Sequence, residues 1–226
     1  NYTNNYFCTA FPFARTAFYF FLKAQKLPPK SEIVMPPIHI KAFLDVVLYL
    51  NLKPIFVDIS IDTLCFDLID LKKKLTPNTR VILLTYLYGI VPNIDELISF
   101  SKRKKLIVIE DFSHCLNGKF HSKNIGSFGD VGIYSSSSIK TLDTYGGGLL
   151  VCKDKNLYIK IKYYQKNLKP VSRIFLLKKI FFNLIKNIAT ERNIFSYLTF
   201  NILKIFNLIN PNIFQRQIRL KKLSPI

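Results

Sequence analysis

Two carboxylates and a histidine stand at the end of one apolar run, Ile107-Val-Ile-Glu-Asp-Phe-Ser-His114, in a chain of 226 residues. A strand that ends this way delivers acid and imidazole groups to the carboxyl edge of a sheet, where α/β proteins bind their ligands. Taken alone the signal is weak, because acidic residues after strands often cap helices. Roughly 30 residues further on come Lys140 and the run Gly146-Gly147-Gly148. Between them lie Gly126-Ser-Phe-Gly-Asp-Val-Gly132 and the serines Ser135 to Ser138. A lysine becomes a nucleophile or a proton carrier when desolvation or nearby cations lower its pKa. A lone lysine is usually solvated and a glycine run alone could be a plain turn, so it is the combination that is informative.

These groups need a scaffold, and residues 14–156 offer one by alternating helical and extended patterns. Ala14 to Lys26 reads as a helix, with Ala17, Phe20, Phe21 and Ala24 on one face and Pro28-Pro29 closing it. Glu32 to Met35 is a short apolar run before Pro36-Pro37. Ala42 to Leu50 reads as a helix and Pro54 to Val57 as a strand ending at Asp58. Leu68 to Leu75 is a predicted helix and Arg80 to Leu84 a strand of branched residues. Ile94 to Arg103 is a helix whose basic end suits the macrodipole. Further strands are predicted at Leu106 to Ile109, Val131 to Tyr134 and Leu149 to Val151. Apolar strands separated by helices predict an α/β fold with a mostly parallel sheet flanked by helices. Asp111 and Ser135 each fall just past such a strand.

From Leu157 the pattern turns to helices with polar breaks, so residues 157–226 are expected to form a helical, basic C-terminal segment. The polar residues of Ile174 to Ile188 are Lys178, Lys179, Asn183, Lys186 and Asn187, which leave a wide apolar face. Asn193 to Asn210 is a second largely apolar segment. No stretch reaches the ~18 uninterrupted apolar residues of a membrane span. The expected fate of the apolar face is packing against protein. The competing one is an anionic membrane surface, favoured by the lysines and by the basic run Arg216 to Lys222.

The formal net charge of +19 divides into +5 over residues 1–152 and +14 over 153–226, away from the candidate chemistry. No nucleic-acid recognition motif accompanies it, and the joint abundance of Lys, Asn, Ile, Phe and Tyr points to compositional bias rather than a nucleic-acid partner. A hydrophobic content of 49% excludes a disordered chain. Cys8, Cys65, Cys115 and Cys152 form no CxxC pair and no histidine stands at ligand spacing, so neither a metal site nor a disulfide framework is expected. That usage predicts a reducing cytoplasm. The chain begins at Asn1 and stops in a basic segment, and a fragment of a longer protein is the expectation.

Several stretches together resemble a known family. PIFVDI (54–59), LTPNTRVIL (75–83), LYG (87–89), VIEDFSHCLNGKF (108–120), IGSFGDVGIYS (125–135) and K-x-L-x-x-x-GGG (140–148) occur in the order and spacing of the DegT/DnrJ/StrS family. The resemblance covers roughly residues 12–155. It implies the large domain of a type I transferase that depends on pyridoxal phosphate, over residues 1–156, and transamination of a keto-sugar nucleotide with an amino acid as donor. It also implies a homodimer and a role in amino-sugar or surface-polysaccharide formation.

Residue roles follow from the same resemblance. Lys140 would form the Schiff base with the cofactor and later shuttle a proton. Asp111 would pair with the pyridine nitrogen, His114 would lie near the phenolic oxygen, and Ser135 would hydrogen-bond the phosphate. Arg15 and Thr16 open the first helix, whose N-terminal amides suit a phosphate. The ring-stacking position falls at His39 or Ile40. Departures are Ala14 where the family commonly has Gly, Ser136 where it often has an aromatic, and a C-terminal domain that is not recognisable. Relatives that dehydrate deoxysugars replace the lysine by histidine, so Lys140 argues for amino transfer. The alternative is a non-catalytic or truncated member that binds a membrane or a protein partner.

Overall fold

A computed structural model describes residues 6–137, 140–142, 144, 146–168, 172–191, 194, 197, 198 and 200–205. Ser138, much of the segment 193–210 and the basic run 216–222 lie outside the described residues. The chain divides into two compact units, residues 1–170 and 171–226.

The first unit contains β1 (Phe7–Phe11), β2 (Glu32–Met35), β3 (Lys53–Phe56), β4 (Thr79–Thr85), β5 (Ile107–Asp111), β6 (Lys119–Phe120), β7 (Lys123–Asn124), β8 (Val131–Ser135) and β9 (Gly148–Cys152). Seven of them form one sheet in the order β1-β9-β8-β5-β4-β2-β3, and β6 and β7 make a separate hairpin. Neighbours from β3 through β8 pair in parallel. β9 runs antiparallel to both β8 and β1. The mostly parallel α/β architecture is therefore present.

Helices α1 (Ala14–Gln25), α2 (Lys41–Tyr49), α3 (Leu68–Lys74), α4 (Asp95–Arg103) and α5 (Lys155–Lys166) flank the sheet. Alternation along the strands divides the core into two layers. Ile33, Val81, Leu83, Ile109 and Ile133 pack with Phe18 and Phe21 of α1, Phe43 of α2 and Ile161 of α5. Val34, Ile82, Leu84 and Val108 pack on the opposite side with Leu71 of α3 and Leu97 of α4. Burying each such large apolar side chain contributes about 1.5–3 kcal/mol. The first unit continues past residue 156 because α5 is bound into the first layer through the fully buried Ile161. Strand β1 gave no sequence signal of its own. Its five residues are ordered by pairing with β9 and by the Thr9 hydroxyl, which donates to Gln165 of α5 at 2.8 Å.

The second unit contains α6 (Arg173–Thr190) and α7 (Phe200–Ile205). Ile174, Leu177, Phe181 and Leu184 of α6 are exposed. No helix among the described residues is long and apolar enough to cross a membrane.

Candidate functional site

The two-residue period of β5 sends its adjacent carboxylates to opposite faces of the sheet. Glu110 takes the face of Val108 and is fully buried. Its Oε1 accepts from the backbone N–H groups of Phe128 and Gly129, both at 2.6 Å. Its Oε2 accepts from the Gly126 N–H at 2.8 Å and from the Tyr86 hydroxyl at 2.7 Å. Burial pushes this carboxyl up, and the four donors offset part of that shift. Glu110 thereby braces the turn that carries the chain into β8. The turn needs glycine at 126, where φ is +86° and a Cβ would sit 2.6 Å from the Phe112 ring. Glu110→Gln places an amide NH2 against one of these donor sets and strands at least one buried N–H. Stability should fall by about 2 kcal/mol or more, read as a lower midpoint in urea unfolding. An unchanged midpoint would show that the brace contributes nothing.

Asp111 takes the other face, at the carboxyl end of β5. Its Oδ1 accepts from the backbone N–H of Ser113 at 3.0 Å and from the Ser113 hydroxyl at 2.5 Å. The Ser113 oxygen in turn accepts from the Ser135 N–H at 3.0 Å, tying the end of β5 to the end of β8. Asp111 Oδ2 is left facing His39 Nε2 at 3.4 Å. Burial alone would raise the Asp111 carboxyl. The approach and charge of His39, with the two Ser113 hydrogen bonds, outweigh it and hold the carboxyl below its ordinary value. The group is therefore an ionised carboxylate with one oxygen directed into a cavity.

That cavity has a volume of about 350 Å³, within the range of small-molecule sites. Its polar lining comprises His39, Thr85, Asp111, Ser113, His114, Ser135, Ser137 and Lys140, and Ile38, Ile40, Leu87 and Tyr88 form its apolar walls. Desolvation lowers the pKa of Lys140 against the opposing pull of Asp111. The backbone N–H of Lys140 donates to the Ser137 carbonyl at 2.9 Å. Desolvation, followed by the charge of Lys140, also lowers the pKa of His114. Among the described residues, two buried side-chain polar atoms lack a hydrogen-bond partner, His39 Nε2 and Thr85 Oγ1, and both residues line this cavity.

Five of the sequence-predicted site residues thus meet: Lys140, Asp111, His114, Ser135 and His39. Two do not line the cavity. Arg15 is exposed, its guanidinium 4.1 Å from the centroid of the Phe13 ring, and it lines a shallow groove with Tyr19 and Tyr49. Thr16 is half-buried in the first turn of α1. The start of α1 nevertheless lies against the site's border. Gly148 pairs with Ser135, and a Cβ there would collide with the backbone of Phe13 and Ala14. The His39 ring sits 4.7 Å from that of Phe43. Sequence reasoning missed Thr85 and Ser113, and it named Ser137 only within the run Ser135 to Ser138. The Asp-x-Ser spacing of an Asx turn was the available signal for Ser113. Among the described residues no cluster of three or more His, Cys, Asp or Glu could hold a metal ion.

Residues 1–171 match the model of the DegT/DnrJ/EryC1/StrS aminotransferase family. The chain is 30% identical over 135 residues to GDP-perosamine synthase of Escherichia coli O157:H7, covering 60% of this chain and 37% of that one. In fold it is similar to Helicobacter pylori PseC, an aminotransferase of pseudoaminic acid biosynthesis, with a TM-score of 0.67 and 24% identity over 74% of this chain and 46% of that one. It is also similar to Escherichia coli GDP-4-keto-6-deoxy-D-mannose-3-dehydratase with bound hydrated PLP, with a TM-score of 0.63 and 28% identity over 67% of this chain and 41% of that one. The chain spans less than half the length of each of these relatives.

Proposed function

Because the chain belongs to the DegT/DnrJ/EryC1/StrS aminotransferase family, we propose that its cavity holds pyridoxal 5'-phosphate and that the complete protein moves an amino group from an amino-acid donor to a keto-sugar nucleotide. The observation that carries this reading is one cavity combining the ionised, buried Asp111 with a lysine whose pKa is lowered. The residues present suit the cofactor. A carboxylate with one outward oxygen matches a protonated ring nitrogen, Ser135 and Ser137 offer hydroxyls to a phosphate, and the apolar walls accept a flat ring. When bound, pyridoxal phosphate supplies an electron sink for the carbon that loses its proton.

The protein's own groups do the rest. Asp111 holds a proton on the ring nitrogen through charge, in a buried site where that attraction is strong. Lys140, whose pKa desolvation lowers, is better able than an exposed lysine to attack a carbonyl and to carry a proton across a short distance. The His114 imidazole, its pKa lowered by desolvation and by the charge of Lys140, offers a hydrogen bond at the edge of the cavity. His39 lies beside Asp111, where it supports the ionised carboxylate.

The substrate class is taken from the family's sugar-nucleotide enzymes. The same reading makes the complete protein cytoplasmic and a homodimer; the dimer is supported by Ile38, Ile40 and Tyr88, which line the cavity yet remain exposed and would be covered by a second copy. It also packs the apolar face of α6 against protein in preference to a membrane. The test uses the complete protein, incubated with pyridoxal phosphate, glutamate and a panel of keto-sugar nucleotides. The expected result is a visible cofactor band, an aminated sugar and sedimentation as a dimer. A protein that binds the cofactor and aminates none of the panel would be a non-catalytic family member, and one without a band would refute the reading.

A further inference from the structure

Thr85 ends β4, directly in register with Asp111 at the end of β5. Parallel neighbours in register share a face, so its side chain points to the same side as Asp111 and lines the same cavity. Its Oγ1 is buried and has no hydrogen-bond partner. A buried hydroxyl left unpaired destabilises a protein, and valine has the same shape without that cost. At this position the Thr85 hydroxyl is free to pair with a ligand group in the cavity.

The chemistry of the cofactor identifies the partner, on the reading that this cavity holds pyridoxal phosphate. The molecule carries four polar features: the ring nitrogen, the carbonyl carbon opposite it, the phosphate arm and the phenolic oxygen. Asp111 answers the nitrogen and Lys140 the carbonyl carbon. The phosphate arm and the phenolic oxygen leave the ring on opposite sides of the axis from nitrogen to carbonyl carbon. In the sheet, β8 and β4 lie on opposite sides of β5. Ser135 and Ser137, at and just beyond the end of β8, provide the hydroxyls for the phosphate, so the ring's other edge turns toward β4 and Thr85.

We propose that the Thr85 hydroxyl is a direct cofactor contact that donates a hydrogen bond to the phenolic oxygen, sharing it with His114. A donor there favours negative charge on that oxygen, as hydrogen bonds to ionised acceptors do. Removing it makes the oxygen more basic, and the bound cofactor's visible absorption change should then titrate at higher pH.

The experiment compares the complete wild-type protein with Thr85→Val and Thr85→Ser, using pyridoxal phosphate itself as probe. Cofactor-free Thr85→Val should melt at or above the wild-type temperature, since it loses only an unpaired hydroxyl. It should bind pyridoxal phosphate about tenfold more weakly, with the pH midpoint of the visible band raised. Thr85→Ser should restore both properties. Wild-type affinity and pH midpoint in Thr85→Val would overturn the assignment alone. So would a loss of affinity that merely tracks a loss of cofactor-free stability. A wild-type protein that takes up no pyridoxal phosphate would overturn this inference together with the proposed function.

Discussion

Lys140→Ala is expected to abolish amino transfer, with a rate at least about 10⁴-fold below wild type, because one side chain supplies both the covalent attachment and the proton relay. The variant should still bind pyridoxal phosphate through Asp111, Ser135 and Ser137, which share the cavity. Its spectrum should be that of the free aldehyde. In the wild-type protein, borohydride reduction followed by peptide mass spectrometry should place the pyridoxyl group on Lys140. The site has no second lysine among its lining residues. Label on any other lysine, with Lys140 unmodified, would refute the assignment. The pH dependence has a definite sign. Desolvation lowers the Lys140 pKa, so its neutral amine is available at lower pH than that of an exposed lysine, and covalent capture should extend correspondingly further into the acid range.

Asp111→Asn should reduce turnover by about 10²–10³-fold while weakening cofactor binding far less. The change preserves shape and removes the charge that holds a proton on the ring nitrogen, and removing one preorganised electrostatic partner has an effect of that order. Asp111 is well placed for the role because Ser113 occupies one oxygen with two hydrogen bonds and leaves the other toward the cavity. Glu110 is no substitute. It lies on the opposite face and all four of its hydrogen bonds go to the turn at 126–129 and to Tyr86. Near-normal turnover in Asp111→Asn would remove Asp111 from the mechanism. A proportionate loss of turnover and cofactor affinity would recast it as a binding group only.

Local pattern and chemistry were legible in the residues themselves. The apolar runs ending at Asp111 and Ser135 marked the carboxyl ends of two strands, and α/β sheets place ligands there. The two-residue period then assigns each side chain at a strand end to one face or the other. The ordered motifs also tied Lys140 and the glycine run to the same site. The flanking helices and the main-sheet strands between residues 14 and 152 came through because their periodicity is imposed by the backbone and needs no distant partner, while the β6–β7 hairpin went unpredicted.

What only the tertiary structure decided concerns pairs far apart in the chain. Strand β1 exists because β9 and Gln165 complete it, and nothing within FCTAF announces that. The opposite roles of Glu110 and Asp111 required knowing what waits on each face: a ring of backbone donors for one and a cavity for the other. Thr85 looks like the last residue of an ordinary strand until its register with Asp111 and its unpaired hydroxyl are seen together. Arg15 and Thr16 share the start of a helix, yet the helix's orientation turns Arg15 toward Phe13, outside the cavity. A side chain's face along one strand depends on the local backbone geometry. Which groups meet across strands depends on the packing of the whole sheet, whose register and order arise from contacts between residues dozens of positions apart.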